Sequence, residues 1–154
     1  RMVSGWFDSD MVLGVAWGTT LAAISQHLNR KTTRGSAIVQ LNGAANTRTS
    51  GVDYAGNLIS RFAEAFDARV HHFPVPAFFD YAETRRAKWR ERSIARVLDM
   101  QRRADIALFS IGALGGDVPS HVYSAGYLER EDIMQALRYA AWRAEEREVT
   151  LPAA

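Results

Sequence analysis

Four short apolar runs, separated by stretches with helical spacing, constrain the fold of this chain more than any other feature. The runs cover residues 10–15, 37–41, 69–73 and 105–111, and turn residues bound each of them. Runs of this length and composition are typical of buried β-strands. Because strands that alternate with helices form βαβ units with right-handed crossovers, the order predicts an α/β fold, a Rossmann-like parallel sheet flanked by helices.

The stretches between the runs carry apolar residues three and four positions apart, which is the spacing of one helix face. The clearest lies at residues 55–66, and a longer one at residues 82–102 is expected to break near Ser93. The predicted inward-facing residues are Leu21, Ile24 and Leu28 in the first helix, Ala55, Leu58, Ile59, Phe62, Ala63 and Phe66 in the second, Ile94, Val97 and Leu98 in the third, and Ile133, Met134, Leu137 and Ala141 in the fourth.

The composition is that of one globular domain. The chain has 154 residues, of which 47% are hydrophobic and 23% charged, and this length is enough for a sizeable core. It has no cysteine, which excludes a disulfide framework, a thiolate metal site and a cysteine nucleophile. No apolar run reaches the roughly 20 residues that span a bilayer, and the first ten residues lack the layout of a signal peptide. We therefore expect a cytoplasmic protein with no membrane contact.

Arginine dominates the basic side chains. Lys31 and Lys88 are the two lysines, and the other 17 of the 19 basic residues are arginines. A guanidinium stays charged and forks onto phosphate or carboxylate, whereas lysine is the residue that enzymes tune into a Schiff-base amine or a general base. These side chains therefore suit anion binding better than lysine-based catalysis.

The segment that joins the first strand to the first helix has the composition of a phosphate-binding turn. Gly18, Thr19 and Thr20 lie there. Glycine allows close backbone approach to an anion, and a helix start offers unpaired N–H groups and the positive end of the helix dipole. The segment lacks both the lysine of a Walker A loop and the glycine spacing of a dinucleotide fingerprint. Two interpretations stay open at this point: a phosphate site, or a turn in which Thr19 or Thr20 is an ordinary helix cap.

Four motifs carry a resemblance to a known family. They are VLGVAWGTTL at residues 12–21, AIVQLNGA at 37–44, FPVPAFF at 73–79 and ADIALFSIG at 104–112. In this order and at these separations they resemble the sugar-binding effector domain of SorC-type, DeoR-like bacterial transcriptional regulators, over about residues 10–137. The resemblance implies a fold similar to that of ribose-phosphate isomerases and glucosamine-phosphate deaminases. It also implies that the ligand is a phosphorylated sugar or a related small molecule.

The resemblance also implies where the ligand binds. It assigns the phosphate to Gly18, Thr19 and Thr20, and the sugar to Gln40, Asn42, Gly43, Asp105 and Gly112. The family's last motif has Gly-Ile-Gly where this chain has Ser110-Ile111-Gly112. In the family the ligand changes tetramer assembly and operator binding, so we expect a homo-oligomer, either a dimer or a tetramer. We expect no catalytic residue, no metal and no cofactor.

The chain departs from the family at both ends. A helix-turn-helix domain precedes the effector domain in the family, whereas ten residues precede the first strand here. We therefore expect one domain over residues 1–154, with DNA contacted only through a domain absent from this chain. After Leu137 the family continues into further strands, but residues 138–147 read RYAAWRAEER. This departure predicts either a C-terminally truncated sensor or a different use of the last residues.

Two alternatives to a sensor domain remain. One is a phosphosugar isomerase or deaminase, with Asp105, Asp117 and His121 as acid–base candidates. Isomerisation needs a positioned base and usually a cation that stabilises the enediolate, and the four loops that follow the strands contain no lysine, so catalysis is disfavoured. The other alternative is an assembly fragment whose pocket no longer binds a ligand.

A basic run covers residues 85–103, with eight basic residues and acidic residues interleaved among them. Opposite charges at helical spacing are usually ordinary surface pairs, so the run predicts a solvated helix face, with a subunit contact as the next choice. Trp89 lies inside the run, and tryptophan and arginine are enriched at interfaces.

The third strand contains His71 and His72. Successive strand residues point to opposite faces, so the pair does not predict a shared metal site. Pro74 and Pro76 follow this strand, and their fixed backbone angles predict a rigid loop with a structural role.

Overall fold

The computed structural model of the chain describes residues 2–46, 48, 50–111, 120, 122, 126–135 and 138. Its strands are β1 (Val12–Val15), β2 (Ala37–Gln40), β3 (Arg69–His71) and β4 (Ile106–Leu108). They form one parallel sheet in the order β3-β2-β1-β4. Each strand lies within one of the four predicted apolar runs, so the predicted α/β class with a parallel sheet is confirmed.

The helices are α1 (Met2–Trp6), α2 (Thr19–Ser25), α3 (Asn57–Phe66), α4 (Ala82–Arg90) and α5 (Arg92–Arg102). A single π-helical turn, Val52–Gly56, leads into α3. The predicted break in the third helical stretch occurs at Glu91, which is extended and separates α4 from α5. Residues 130–135 are also helical, whereas Leu137 and Ala141 lie outside the described residues.

Hydrophobic side chains cover both faces of the sheet. On one face, Leu13 and Ile38 pack with Phe62 in the larger core, which α2 and α3 complete. On the other face, Val39 packs with Ile94 and Val97, and the last two belong to α5. Neighbouring residues of one strand thus serve opposite cores, as the two-residue period of a strand requires. The result is a sheet between helices, with its loops left at the two edges.

Two residues predicted to face inward are exposed. Ile24 is 36% exposed, because α2 ends at Ser25 after two turns and the inward face of its described residues is limited to Leu21 and Ser25. Met134 is 47% exposed. It follows Ile133, and neighbouring helix residues are about 100° apart around the axis, so the two do not share one face. Among the described residues, no helix is long and apolar enough to cross a membrane.

The strand order reverses between β1 and β4. The chain leaves β1 towards β2 and β3 on one side, while β4 pairs with β1 on the other side. The carboxyl ends of β1 and β4 therefore form a topological switch point of the sheet. In open parallel sheets this switch point is where ligands bind.

Candidate functional site

The turn after β1 lies at this switch point. Gly18 is the N-cap of α2, with φ 158° and ψ 166°, and its carbonyl accepts the first helical hydrogen bond from the Ala22 N–H at 2.9 Å. Thr19 and Thr20 are the first two helical residues and are exposed. No side chain caps the helix. The interpretation of Thr19 or Thr20 as the helix cap is therefore wrong, because the glycine occupies the cap position.

Trp17 ties the turn to the loop that follows β2. Its backbone N–H donates to Asn42 Oδ1 at 3.3 Å, and its indole Nε1–H donates to the Gly43 carbonyl at 2.7 Å. The indole is buried and stacks on Tyr127, with ring centroids 4.6 Å apart. These contacts bring two of the predicted sugar-binding residues, Asn42 and Gly43, next to the predicted phosphate turn.

The loop after β4 meets the same turn from the other side. The Ala16 N–H donates to the Leu108 carbonyl at 2.9 Å, which extends the β1–β4 pairing by one residue. A Cβ added to Gly18 would lie 3.4 Å from Ser110 Oγ, an ordinary contact distance. Ser110 therefore borders the turn. Gly112, Asp117 and His121, which follow in sequence, lie outside the described residues.

Position 43 has room for glycine but not for a residue with a Cβ. The β3 loop crosses so close that an added Cβ would overlap the Pro76 carbonyl oxygen and lie 2.5 Å from the Val75 carbonyl oxygen. Both neighbours are backbone atoms, which cannot rotate away as a side chain can. This glycine therefore fixes how the β2 and β3 loops pack together at the carboxyl edge.

Gln40 uses both ends of its amide within the chain. Its Oε1 accepts from the Phe73 N–H at 3.3 Å, and its Nε2 donates to the Asn42 carbonyl at 2.7 Å. The residue is 3% exposed. From α5, Gln101 Nε2 donates to the Gln40 carbonyl at 2.8 Å. The structure thus places Gln40 beside the predicted site, as a brace between the two loops.

Asp105 lies at the amino ends of the strands, away from the loops described above. Its Oδ2 accepts from the Val12 N–H at 2.7 Å, and its own N–H donates to the Val12 carbonyl at 2.9 Å. Val12 begins β1, and three residues of strand at about 3.3 Å each separate it from the carboxyl end. The structure therefore does not bring Asp105 together with Gly18, Thr19 and Thr20. The carboxylate instead joins the amino ends of β1 and β4.

Tyr54 and Tyr127, which contact the Trp17 indole, are uncharged. Burial raises the pKa of the Tyr54 and Tyr127 phenols above their ordinary value, so both hold their protons at neutral pH. On β3, burial lowers the pKa of His71, and the positive charges of Arg96 and Arg69 lower it further. Within the described ranges, no three histidine or acidic side chains are grouped as metal ligands.

Several cavities open among the described residues of the loops that follow β2 and β3, and two of them bear on the site. One, of about 560 Å³, lies at the start of α3 and includes His72, Asp53 and Asn57 in its lining. The other, of about 610 Å³, lies beside α4, and we call it the aromatic groove. It is lined by Asn42, Gly43, Phe73, Val75, Pro76, Ala77, Phe78, Phe79, Asp80, Ala82, Arg85 and Trp89. The loop with the two prolines therefore forms a wall of both cavities.

The basic run forms a solvated face, as predicted, but with few ion pairs. No residue of α4 is buried. Among the described residues of the run, one ion pair forms, between Arg102 and Asp99 at 2.8 Å. Trp89 packs inside the chain, against Phe73 and Phe79. The sequence interpretation missed Arg85 and Trp89 as cavity residues, although an arginine and a tryptophan four positions apart on a helix are a signal for stacking.

Comparisons with known proteins point in one direction. The family described as "Putative sugar-binding domain" matches residues 1–141. A Bacillus subtilis (strain 168) protein named "Deoxyribonucleoside regulator" is 35% identical over 126 residues, which are 81% of this chain and 39% of that protein.

Solved structures agree with this match. A domain of "a possible sugar-binding transcriptional regulator" from Arthrobacter aurescens TC1 superposes with a TM-score of 0.81 at 50% identity, over 90% of this chain and 53% of that one. The full-length sorbitol operon regulator SorC from Klebsiella pneumoniae superposes with a TM-score of 0.73 at 18% identity, over 89% of this chain and 45% of that one, and shows the shared fold. The chain thus spans about half, or less, of the length of these proteins.

Proposed function

The chain belongs to the family of sugar-binding domains of bacterial transcriptional regulators, and from this premise we propose that it binds a phosphorylated sugar, or a related phosphorylated small molecule, as a regulatory effector. The observation that carries the proposal is the turn at the β1/β4 switch point. There a helix begins on a glycine without a side-chain cap, and two exposed threonines follow.

The phosphate binds at Gly18, Thr19 and Thr20. The first N–H groups of a helix have no partner within the helix, and they point towards an anion together with the positive end of the helix dipole. Neither threonine hydroxyl has a hydrogen-bond partner among the described residues, so both can donate to phosphate oxygens. Trp17, held at both of its N–H groups, keeps the turn in place before the ligand arrives.

The sugar lies over the loops beside this turn. Asn42 Oδ1 accepts a hydrogen bond from the Trp17 N–H, and the amide N–H groups of Asn42 can donate to a ligand hydroxyl. Gly43 lies next to Asn42 and lets the β3 loop pack against this loop, and the resemblance adds Gly112. Gln40 contributes by holding Asn42 and Phe73 in register. Asp105 is left out of the proposed contacts because its carboxylate lies at the other edge.

The binding serves regulation and not catalysis. Two relatives are named as regulators and a third as a possible sugar-binding transcriptional regulator, and the proposed contacts include no acid–base pair. We propose that the bound effector changes the association of copies of this domain, as a dimer or a tetramer, in a regulator that works in the cytoplasm. DNA is then contacted by a different domain of such a regulator.

A thermal-shift screen tests the proposal. The panel pairs ribose 5-phosphate, deoxyribose 5-phosphate and glucosamine 6-phosphate with their unphosphorylated parents, and adds deoxyribonucleosides because of the relative's name. A ligand at a hundred times its Kd stabilises the fold by about 2.7 kcal/mol, which for a domain of this size raises the Tm by roughly 5–10 °C. Shifts confined to phosphorylated compounds support the proposal. Equal shifts with the parents, or product formation in the same samples, would contradict it.

A further inference from the structure

The aromatic groove beside α4 has the features of a ligand subsite. Its wall is the Trp89 indole, which two phenylalanine edges hold in place. The centroid of the Trp89 ring lies 5.7 Å from that of Phe73 and 5.4 Å from that of Phe79, at interplanar angles of 66° and 77°. Edge-to-face contacts of this kind fix the orientation of a ring. The groove therefore has a rigid apolar wall, although α4 itself contributes no buried residue.

A cation without a counter-ion stands at this wall. The Arg85 guanidinium carbon lies 5.8 Å from the centroid of the Trp89 ring. In the described part of the chain, the Arg85 guanidinium has neither a hydrogen-bond partner nor an ion pair, and Asp80, the one acid in the groove lining, lies beyond ion-pair distance. Stacking orders a guanidinium while its N–H donors stay free in the plane. Such a group is prepared to bind a planar or tetrahedral anion.

The groove and the proposed phosphate turn meet at one residue. Asn42 lines the groove, and its Oδ1 accepts a hydrogen bond from the N–H of Trp17, the residue before Gly18. Gly43, the next residue, also lines the groove. A molecule whose phosphate lies on the turn can therefore extend over Asn42 and Gly43 into the groove.

We propose that the aromatic groove is a specificity subsite for the far end of the effector, and that this end carries a second anionic group which Arg85 binds while the carbon chain lies against Trp89. The inference rests on the proposed function, since it places the first phosphate on the Gly18 turn. The ligand class it names is a sugar phosphate with a second acid, either a carboxylate or another phosphate. The arginine fork suits both chemistries.

Two matched pairs of probes separate these chemistries. Glucitol 6-phosphate and 6-phosphogluconate are both open chains, and the second has a carboxylate at the far end. Ribose 5-phosphate and ribose 1,5-bisphosphate share a ring, and the second has a further phosphate. Titration calorimetry at low salt, repeated at physiological salt, measures the affinity of the whole chain for each probe. The doubly acidic member of at least one pair is expected to bind about five- to tenfold more tightly, and less so as salt screens the exposed charge.

Three variants locate the effect. Arg85→Gln is expected to remove the advantage of the doubly acidic probe and leave the singly charged probe within about twofold of wild type. Arg86→Gln, the neighbouring exposed arginine that does not line the groove, is the control and is expected to change neither. Thr19→Val/Thr20→Val is expected to lower the affinity for all four probes.

The outcomes distinguish the two proposals. If the threonine variant weakens binding but the second acid gives no advantage, or the advantage persists in Arg85→Gln, the groove inference is wrong and the phosphate turn stands. An equal loss in Arg86→Gln also overturns the inference, because it indicates general attraction to a basic surface. If no probe binds, or the threonine variant binds every probe as wild type does, the proposed function fails and the inference fails with it.

Discussion

Replacing Thr19 and Thr20 together by valine tests the phosphate assignment most directly. Valine keeps the β-branched shape and removes only the hydroxyl. Both residues are exposed, no side chain caps the helix, and neither hydroxyl has a partner among the described residues. Threonine and valine also have similar helix propensities. The free energy of unfolding is therefore expected to change by less than about 0.5 kcal/mol, as for other surface substitutions.

The effect on binding is expected to be much larger. A hydrogen bond to a charged partner contributes about 1.5–3 kcal/mol, and the lower figure applies here because water reaches the turn. Two lost donors then cost roughly 3 kcal/mol, which corresponds to about a hundredfold increase in Kd. The backbone N–H groups remain, so weak binding persists.

The assay is calorimetric titration with whichever phosphorylated compound gives the largest thermal shift, with urea unfolding of each variant beside it. Thr32→Val makes the same chemical change in an exposed loop that precedes β2 at the other edge of the sheet, and it should bind as wild type does. A loss of less than about threefold in the double variant would refute the assignment. A large loss that comes with a large fall in unfolding free energy would show that the hydroxyls serve the fold.

Three further predictions concern stability. Gly43→Ala places a methyl group against the Pro76 carbonyl and is expected to cost about 2 kcal/mol, a Tm fall of roughly 4–8 °C in a thermal scan; an unchanged Tm would show that the β3 loop can move. Phe62→Ala empties a fully buried position in the larger core and is expected to cost about 3–5 kcal/mol in urea unfolding, and a cost below about 1 kcal/mol would contradict the core assignment. Burial and two nearby arginines hold the pKa of His71 below its ordinary value near 6.5, so the unfolded chain takes up the proton first. Its contribution to stability is complete above about pH 6.5 and is lost as the pH falls towards the folded pKa; unfolding at pH 7.5 and 5.5 should show a smaller difference in His71→Gln than in wild type or the exposed control His27→Gln.

Asp105 shows why it matters at which end of a strand a predicted ligand-binding residue lies. Asp105 is the first residue of its apolar run and precedes β4 itself, and in a parallel sheet the residue before a strand lies at the amino edge, away from ligands. The resemblance assigns Asp105 to the sugar, whereas its hydrogen bonds to Val12 join the amino ends of β1 and β4. Thr19 and Thr20 follow their strand, and both arguments agree for them.

Gln40 shows what a motif leaves undecided. Its position near the end of β2 is readable from the sequence, since it is the last residue but one of an apolar run. Whether its amide faces a ligand or the protein depends on Phe73 and Asn42, the first of which is 33 residues away. A polar side chain buried at 3% exposure needs partners, but the sequence does not say which ones.

The sequence by itself determined the four strands and the main helical stretches between them. Short continuous apolar runs in the strands and apolar residues three to four positions apart in α3 and α5 are local signals, because each can be read from one segment of the chain alone. Only the tertiary structure decided which loops are neighbours. The strand order β3-β2-β1-β4 places the Gly18 turn between Ser110 and Asn42. Asn42 also lines the aromatic groove together with Arg85 and Trp89. Those contacts join segments far apart in the chain, and they form because the two cores on opposite faces of the sheet fix where every loop must end.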